Sequence, residues 1–170
     1  MYDPNQARPF NFLAQSRTYS LFISHAWEYG EEYEGVVHLL NSDWLFRWKN
    51  LSVPAEHPLP TLIDLPKSYR FLVRQIDALI SQSDCLVVVA GMYAAHRGWI
   101  QSEIESAIDF RKPIIGIVPR GNEKIPIAVQ NAATEIVGWN SASITAAIRR
   151  HVTAPAPQFN SMFPIKNTTL

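Results

Sequence analysis

The stretch "DCLVVVAGMYAAHRGWIQSEIESAIDF", Asp84 to Phe110, sets an unbroken apolar run against a helical pattern. Leu86 to Ala90 shows no alternation and is closed by Gly91, which predicts a strand buried on both faces, as in a parallel sheet. After it, Ile100, Ile104, Ala107 and Ile108 recur at helical spacing and predict a helix whose apolar stripe faces that sheet. A doubly buried strand followed by an amphipathic helix is the repeating unit of an open α/β fold.

The same unit recurs on either side. "TYSLFIS" (Thr18 to Ser24) predicts a first strand, and Tyr33, Val36, Val37 and Leu40 a helix after it. "FRWKNLSV" (Phe46 to Val53) reads as a short second strand. The proline-rich "PAEHPLPTLIDLPKS" after it reads as an irregular connection. From Lys67, the residues Tyr69, Leu72, Val73, Ile76, Leu79 and Ile80 predict the second helix. "KPIIGIVP" is another buried strand and "EIVGW" (Glu135 to Trp139) the last, with Asn140 or Ser141 capping a final helix through Ile144, Ala147 and Ile148. Five strands alternating with helices predict a flavodoxin-like parallel sheet of order 2-1-3-4-5, with helices on both faces. In that fold ligands bind beyond the carboxyl ends of strands one and three. Here those ends carry "SHAWEYG" (Ser24 to Gly30) and "GMYAAHRGW" (Gly91 to Trp99).

Composition narrows the class. The 170 residues, 47% hydrophobic and 18% charged, fit one domain, expected over 18–152, with an N-terminal arm (1–17) and a proline-containing C-terminal tail (153–170). Lys+Arg and Asp+Glu balance at 15 each, so no basic surplus points to nucleic acid or an anionic membrane. The first seventeen residues show no targeting pattern, and no run approaches the roughly 20 apolar residues of a membrane span. With Cys85 as the single cysteine, a reducing, cytoplasmic setting is expected. Cys85 lies inside the apolar strand and reads as a buried thiol rather than a nucleophile.

No phosphate loop, dinucleotide fingerprint, serine elbow or zinc-protease motif is present, and the five histidines (25, 38, 57, 96 and 151) lack metal-ligand spacing. The helix after Gly91 holds two glutamates, separable by angle at about 100° per residue. Glu103 falls at the border of the apolar stripe, one turn from Trp99, whereas Glu105 points to solvent. Two readings of Glu103 stay open: a partly desolvated carboxylate that contacts a ligand in the cleft, or a salt bridge to Arg97 or Lys112.

In "SHAW", Ser24 and His25 are neighbours and cannot face each other as nucleophile and base, which rejects a hydrolase triad. Ligand binding by Ser24, His25 and Trp27 stands beside a structural reading in which Ser24 caps a turn and Trp27 seals the sheet edge. Tyr93 and His96 either line the cleft or pack their loop. Asn50 and His57 are lesser candidates for its rim, and Trp44 and Trp48 read as core.

"LFISHAW", "WKNLSVP", "DCLVVVAGMYAAHRGWIQSEIESA", "KPIIGIVPRGNEKIP" and "EIVGWNSASI", in this order, resemble the bacterial TIR-like family related to the ThsB component of Thoeris anti-phage systems. The resemblance spans roughly residues 18 to 150 and implies a TIR-like variant of the flavodoxin-like fold. In catalytic TIR domains the glutamate of W-[CVI]-x-x-E is the key residue for cleaving NAD, and the matching residues here are Trp99, Ile100, Gln101, Ser102 and Glu103. The resemblance also implies that Ser24, His25, Ala26 and Trp27 form the loop at the nicotinamide end. It departs from typical TIR domains in lacking a basic-rich loop there and in the proline-rich segment 54–66.

The resemblance implies an enzyme with NAD as substrate and no cofactor or metal. It would release nicotinamide and form a cyclic ADP-ribose-type signal, with Trp27 and Tyr93 as aromatic shelves for the adenosine. The implied partner is a separate effector reached through that diffusible nucleotide, and self-association is implied too. The alternative is a catalytically silent TIR-like module that binds a nucleotide or a partner protein. An FMN or phosphoacceptor role ranks third; the first strand is not followed by the acidic cluster expected of a phosphoacceptor receiver, which weighs against the latter.

Overall fold

The computed structural model describes residues 17–24, 30–52, 65–91, 97–119, 121 and 124–152, with 65–70 described by backbone alone. Five strands, β1 (Thr18–Ser24), β2 (Arg47–Asn50), β3 (Cys85–Val89), β4 (Ile114–Val118) and β5 (Glu135–Gly138), form one sheet of order β2-β1-β3-β4-β5. Every neighbouring pair is parallel. The order is the one expected from the sequence. The helices are α1 (Glu31–Ser42), α2 (Leu65–Gln82), α3 (Arg97–Asp109), α4 (Ile127–Ala132) and α5 (Ser141–His151). α1 packs with α5 over one face, and α2, α3 and α4 pack over the other.

β3 is the centre of the core. Cys85 to Val89 are all buried, because β1 and β4 flank the strand and helices cover both its faces. This is why the run carries no polar alternation. β1 directs Tyr19, Leu21 and Ile23 to the α1 side. Tyr19 stacks on Phe46 at 4.9 Å, and the Arg149 guanidinium of α5 lies over Phe46 at 5.1 Å. The alternate residues Phe22 and Ser24 therefore face the opposite layer, where α3 lies.

At the amino ends of the strands Arg17 pairs with Asp84 at 3.0 Å and donates to the Val152 carbonyl at 3.5 Å. The Asp84 carboxylate also accepts from the Ser20 amide at 2.8 Å. The two ends of the described fold thus meet beneath the sheet.

Several boundaries differ from the sequence reading. β2 covers Arg47–Asn50 rather than 46–53, and β5 stops at Gly138. α2 begins at Leu65, with Pro66 in its first turn, where a missing N–H costs no helical hydrogen bond. The six-residue α4 was not expected, being too short to show a helical period. Asn140 is the cap of α5, its side chain accepting from the Ser143 amide at 2.9 Å. Trp44 is not core: it sits in the turn between α1 and β2 and is 86% exposed. Trp48 is partly buried and donates to Asn41 at 3.0 Å.

The stripe of α3 is also rotated. Ile108 is 54% exposed, and the buried residues are Ile100, Glu103, Ile104, Ser106 and Ala107. α2 packs against α3, the flank bearing Glu103 and Ser106 is buried, and the Ile108 flank is left to solvent.

Candidate active site

Glu103 lies in the second turn of α3, and its residue is only 3% exposed. Its carboxylate accepts a hydrogen bond from the hydroxyl of Ser24, the last residue of β1, and a second from the Trp99 indole one turn earlier in α3. Ser24 is wholly buried too. The alternation of β1 aims its side chain at α3, while the register of β1 on β3 sets Ser24 beside Val88. Two elements distant in sequence thus meet where the carboxyl ends of β1 and β3 lie together.

Among the described residues Glu103 forms no ion pair, so the salt bridge to Arg97 or Lys112 is not made. Burial pushes its pKa up to about 8, and the hydrogen bonds from Ser24 and Trp99 pull the other way without cancelling it. Among the described residues the Glu103 carboxyl is thus held by two neutral donors and has no counter-ion. Glu105 is exposed, as expected, and accepts from Gln101 at 2.9 Å.

Of the other candidates, His25, Trp27, His57, Tyr93 and His96 lie outside the described residues. Asn50 is not a free group on the rim. Its amide donates to the Tyr33 hydroxyl at 2.6 Å and its side-chain oxygen accepts from the Ser52 amide at 2.9 Å. Ser52, unnoticed in the sequence, is buried and accepts from the Ile23 amide at 2.7 Å. The sequence cue for it is the Asn-x-Ser turn at the end of β2. Ser106 has a buried hydroxyl with no partner among the described residues.

Two other features carry no chemistry of this kind. Cys85 is fully buried, and burial drives its thiol pKa far above the ordinary range. An open groove of about 470 Å³ along β5 and α5 is lined by Gly138, Ser143, Glu135 and Arg150, but Glu135 is already bound by Arg150 and His151. Among the described residues no group of three His, Cys, Asp or Glu could hold a metal ion, and no helix is long and apolar enough to cross a membrane.

The sequence pattern of the family described as the TIR-like domain of Thoeris protein ThsB matches residues 22–124, a span that contains Ser24, Ser52, Trp99 and Glu103. The chain belongs to the ThsB TIR-like domain family. This ThsB TIR-like domain matches no curated protein in sequence. Its fold is similar to that of a 2-deoxyribosyltransferase from the psychrotolerant bacterium Bacillus psychrosaccharolyticus, at a TM-score of 0.51 and 12% identity, covering 76% of this chain and 95% of that one. A CMP N-glycosidase from Clostridium botulinum aligns at a TM-score of 0.40 and 11% identity, over 76% of this chain and 97% of that one. The first likeness establishes a shared flavodoxin-like fold. For the ThsB TIR-like domain, the W-x-x-x-E residues and the buried pair at Ser24 and Glu103 are therefore features of one sheet end.

Proposed function

We propose that this chain is an NAD-cleaving enzyme of Thoeris-type anti-phage defence, with Glu103 as its catalytic carboxylate. The observation that carries the reading is a glutamate buried at the carboxyl end of the sheet with hydroxyl and indole donors and, among the described residues, no cation beside it. A purely structural glutamate at this depth would be expected to have a basic partner.

The chemistry suits so sparse a site. Nicotinamide is a cationic ring while attached to the ribose of NAD and leaves as a neutral molecule, so no general acid is required to protonate it. As the bond to the anomeric carbon breaks, positive charge moves onto the ribose. A carboxylate fixed beside that carbon in a dry cleft stabilises the developing charge and holds the ribose hydroxyls. One such preorganised group supplies about 3 to 4 kcal/mol, or two to three orders of magnitude in rate. Ser24 and Trp99 keep the carboxylate in place and favour its ionised form. Capture of the ribosyl cation by water gives ADP-ribose. Capture by a nucleophile of the same molecule gives a cyclic product, which we assign as the signal to a separate effector.

The test is incubation of the purified protein with NAD, alone and with lysate of phage-infected cells, following nicotinamide release and product mass beside Glu103→Gln. Release that depends on Glu103, with a product one water lighter than ADP-ribose, is the expected result. No release under either condition, together with full defence in cells carrying Glu103→Gln, overturns the reading and leaves the silent interaction module.

A further inference from the structure

The turn between α1 and β2 holds two large apolar side chains out to solvent, Trp44 at 86% exposure and Leu45 at 42%. The turn is anchored on both sides. The Asp43 carbonyl accepts from the Phe46 amide at 2.8 Å, and one Asp43 carboxylate oxygen accepts from the Leu45 amide at 3.1 Å. The other oxygen is held from α5 by Thr145 at 2.9 Å and Arg149 at 3.0 Å. An indole fixed in water on such a turn is the kind of side chain that anchors a protein interface.

The strand that this turn enters, β2, is an outer strand of the sheet and pairs with β1 alone. The Leu51 amide donates to the Leu21 carbonyl, so by the strand period of two the Lys49 backbone groups face β1 as well. Those of Trp48 and Asn50 face outward, with no strand beside them among the described residues. Phe46 and Trp48 point to the α1 side, against Tyr19 and Asn41, and Arg47 and Lys49 therefore point to the other face. Both cations are exposed, and among the described residues neither pairs with a carboxylate. Edge strands commonly carry cations that repel a second edge, but an exposed indole beside them does not serve that purpose.

We propose that the outer edge of β2 takes up an extended segment of a partner protein in which acidic and apolar residues alternate. The added strand bonds to the outward backbone groups of Trp48 and Asn50, sets its acids against Arg47 and Lys49, and lays an apolar residue on Trp44 and Leu45. Charge selects this occupant. Two copies of the chain joined edge to edge would set cations against cations. An anionic lipid surface would engage the indole and the cations but leave the edge amides without partners. A strand with acids at every second position meets all three features. The surface begins at the amino end of β2, away from Ser24 and Glu103, and stands whether or not the chain cleaves NAD.

The experiment titrates the isotope-labelled full chain with an acetylated, amidated octapeptide alternating Glu with Val and Leu, beside the same peptide with Lys in place of Glu. Amide NMR and hydrogen exchange read the outcome residue by residue. The expected result for the Glu peptide is saturable shifts of the Trp44 indole and of the Trp48 and Asn50 amides, with exchange of those two amides slowed. Trp44→Ala should weaken binding about tenfold, and Arg47→Glu/Lys49→Glu should turn the preference to the Lys peptide. The three side chains are exposed, so the variants should keep the β3 amide shifts of the parent. Equal binding of the two peptides, or saturation by neither, overturns the proposal. So does Trp44-dependent capture of the protein by phosphatidylserine vesicles that leaves the Trp48 and Asn50 amides unprotected, which would make the patch a membrane contact.

Discussion

The Ser24 hydroxyl donates to the Glu103 carboxylate across 79 positions of sequence, and neither group has a charged partner among the described residues. The protonation state of Glu103 is consequently governed by burial and two neutral donors, and it titrates where pH is easily varied. If the ionised carboxylate is the active form, kcat/KM for nicotinamide release rises about tenfold per pH unit below the Glu103 pKa and levels above it. The break is expected near pH 8 in the free protein. A profile flat from about pH 6 to 9 would contradict that assignment.

Trp99 tests the second donor. Trp99→Phe keeps an aromatic ring on α3 but removes the indole N–H that lowers the Glu103 pKa. The acidic limb of the rate profile should move to higher pH, with the plateau rate changed less than the rate at neutral pH. An unshifted limb would show that the indole does not hold the carboxylate.

Burial of Glu103 also has a stability consequence of definite sign. Its folded pKa is raised from an ordinary 4.5 to about 8, so the folded state binds the proton more tightly. The stabilisation is complete below pH 4.5 and is lost as pH rises to about 8. The limiting slope in that window is about 1.4 kcal/mol per pH unit. Glu103→Gln cannot ionise and escapes the loss. Its thermal midpoint should exceed that of the unsubstituted protein at pH 8, by about 2 to 4 °C for each kcal/mol, and the gap should close near pH 4.5. Melting curves across this range check it, and a gap independent of pH would contradict the assignment.

Cys85 is enclosed in β3, and its thiol is held protonated by that enclosure. The folded protein should resist a small alkylating reagent and react fully once unfolded in denaturant. Alkylation measured by intact mass distinguishes the two states. Rapid labelling without denaturant would mean that β3 opens readily.

Gly35 is constrained by close approach. A Cβ placed there would stand 2.5 Å from Cζ2 of Trp139, whose ring lies against this part of α1. Gly35→Ala should therefore destabilise the fold by about 1 to 3 kcal/mol, despite alanine's better helix propensity. Combining it with Trp139→Phe should return part of the loss, as read from denaturant midpoints.

The central strands were legible in the sequence because parallel strands covered on both faces are apolar throughout, as in Leu86 to Val89 and Ile114 to Ile117. The edge was less so. β2 ends at a turn set by side-chain hydrogen bonds of Asn50 and Ser52, which hydropathy does not register. The angle along α3 singled out Glu103, but it also placed Ile108 inward, because the angle alone cannot say which flank the neighbouring elements will cover. Whether Arg97 or Lys112 would neutralise Glu103 was undecidable from spacing, since long side chains can reach or avoid it. Ser52 was invisible because it acts on a backbone amide 29 positions away.

The hydrogen bond from Arg17 to the Val152 carbonyl spans 135 positions and closes the described chain almost into a ring. Its seam lies at the amino ends of the strands, a full strand length from Ser24. A short bridge across that seam, with the backbone cut instead at an exposed turn such as that of Trp44, would preserve every strand pairing. Circular permutation should therefore leave the Ser24–Glu103 end of the sheet in place, and attachments made at the seam would hang clear of it.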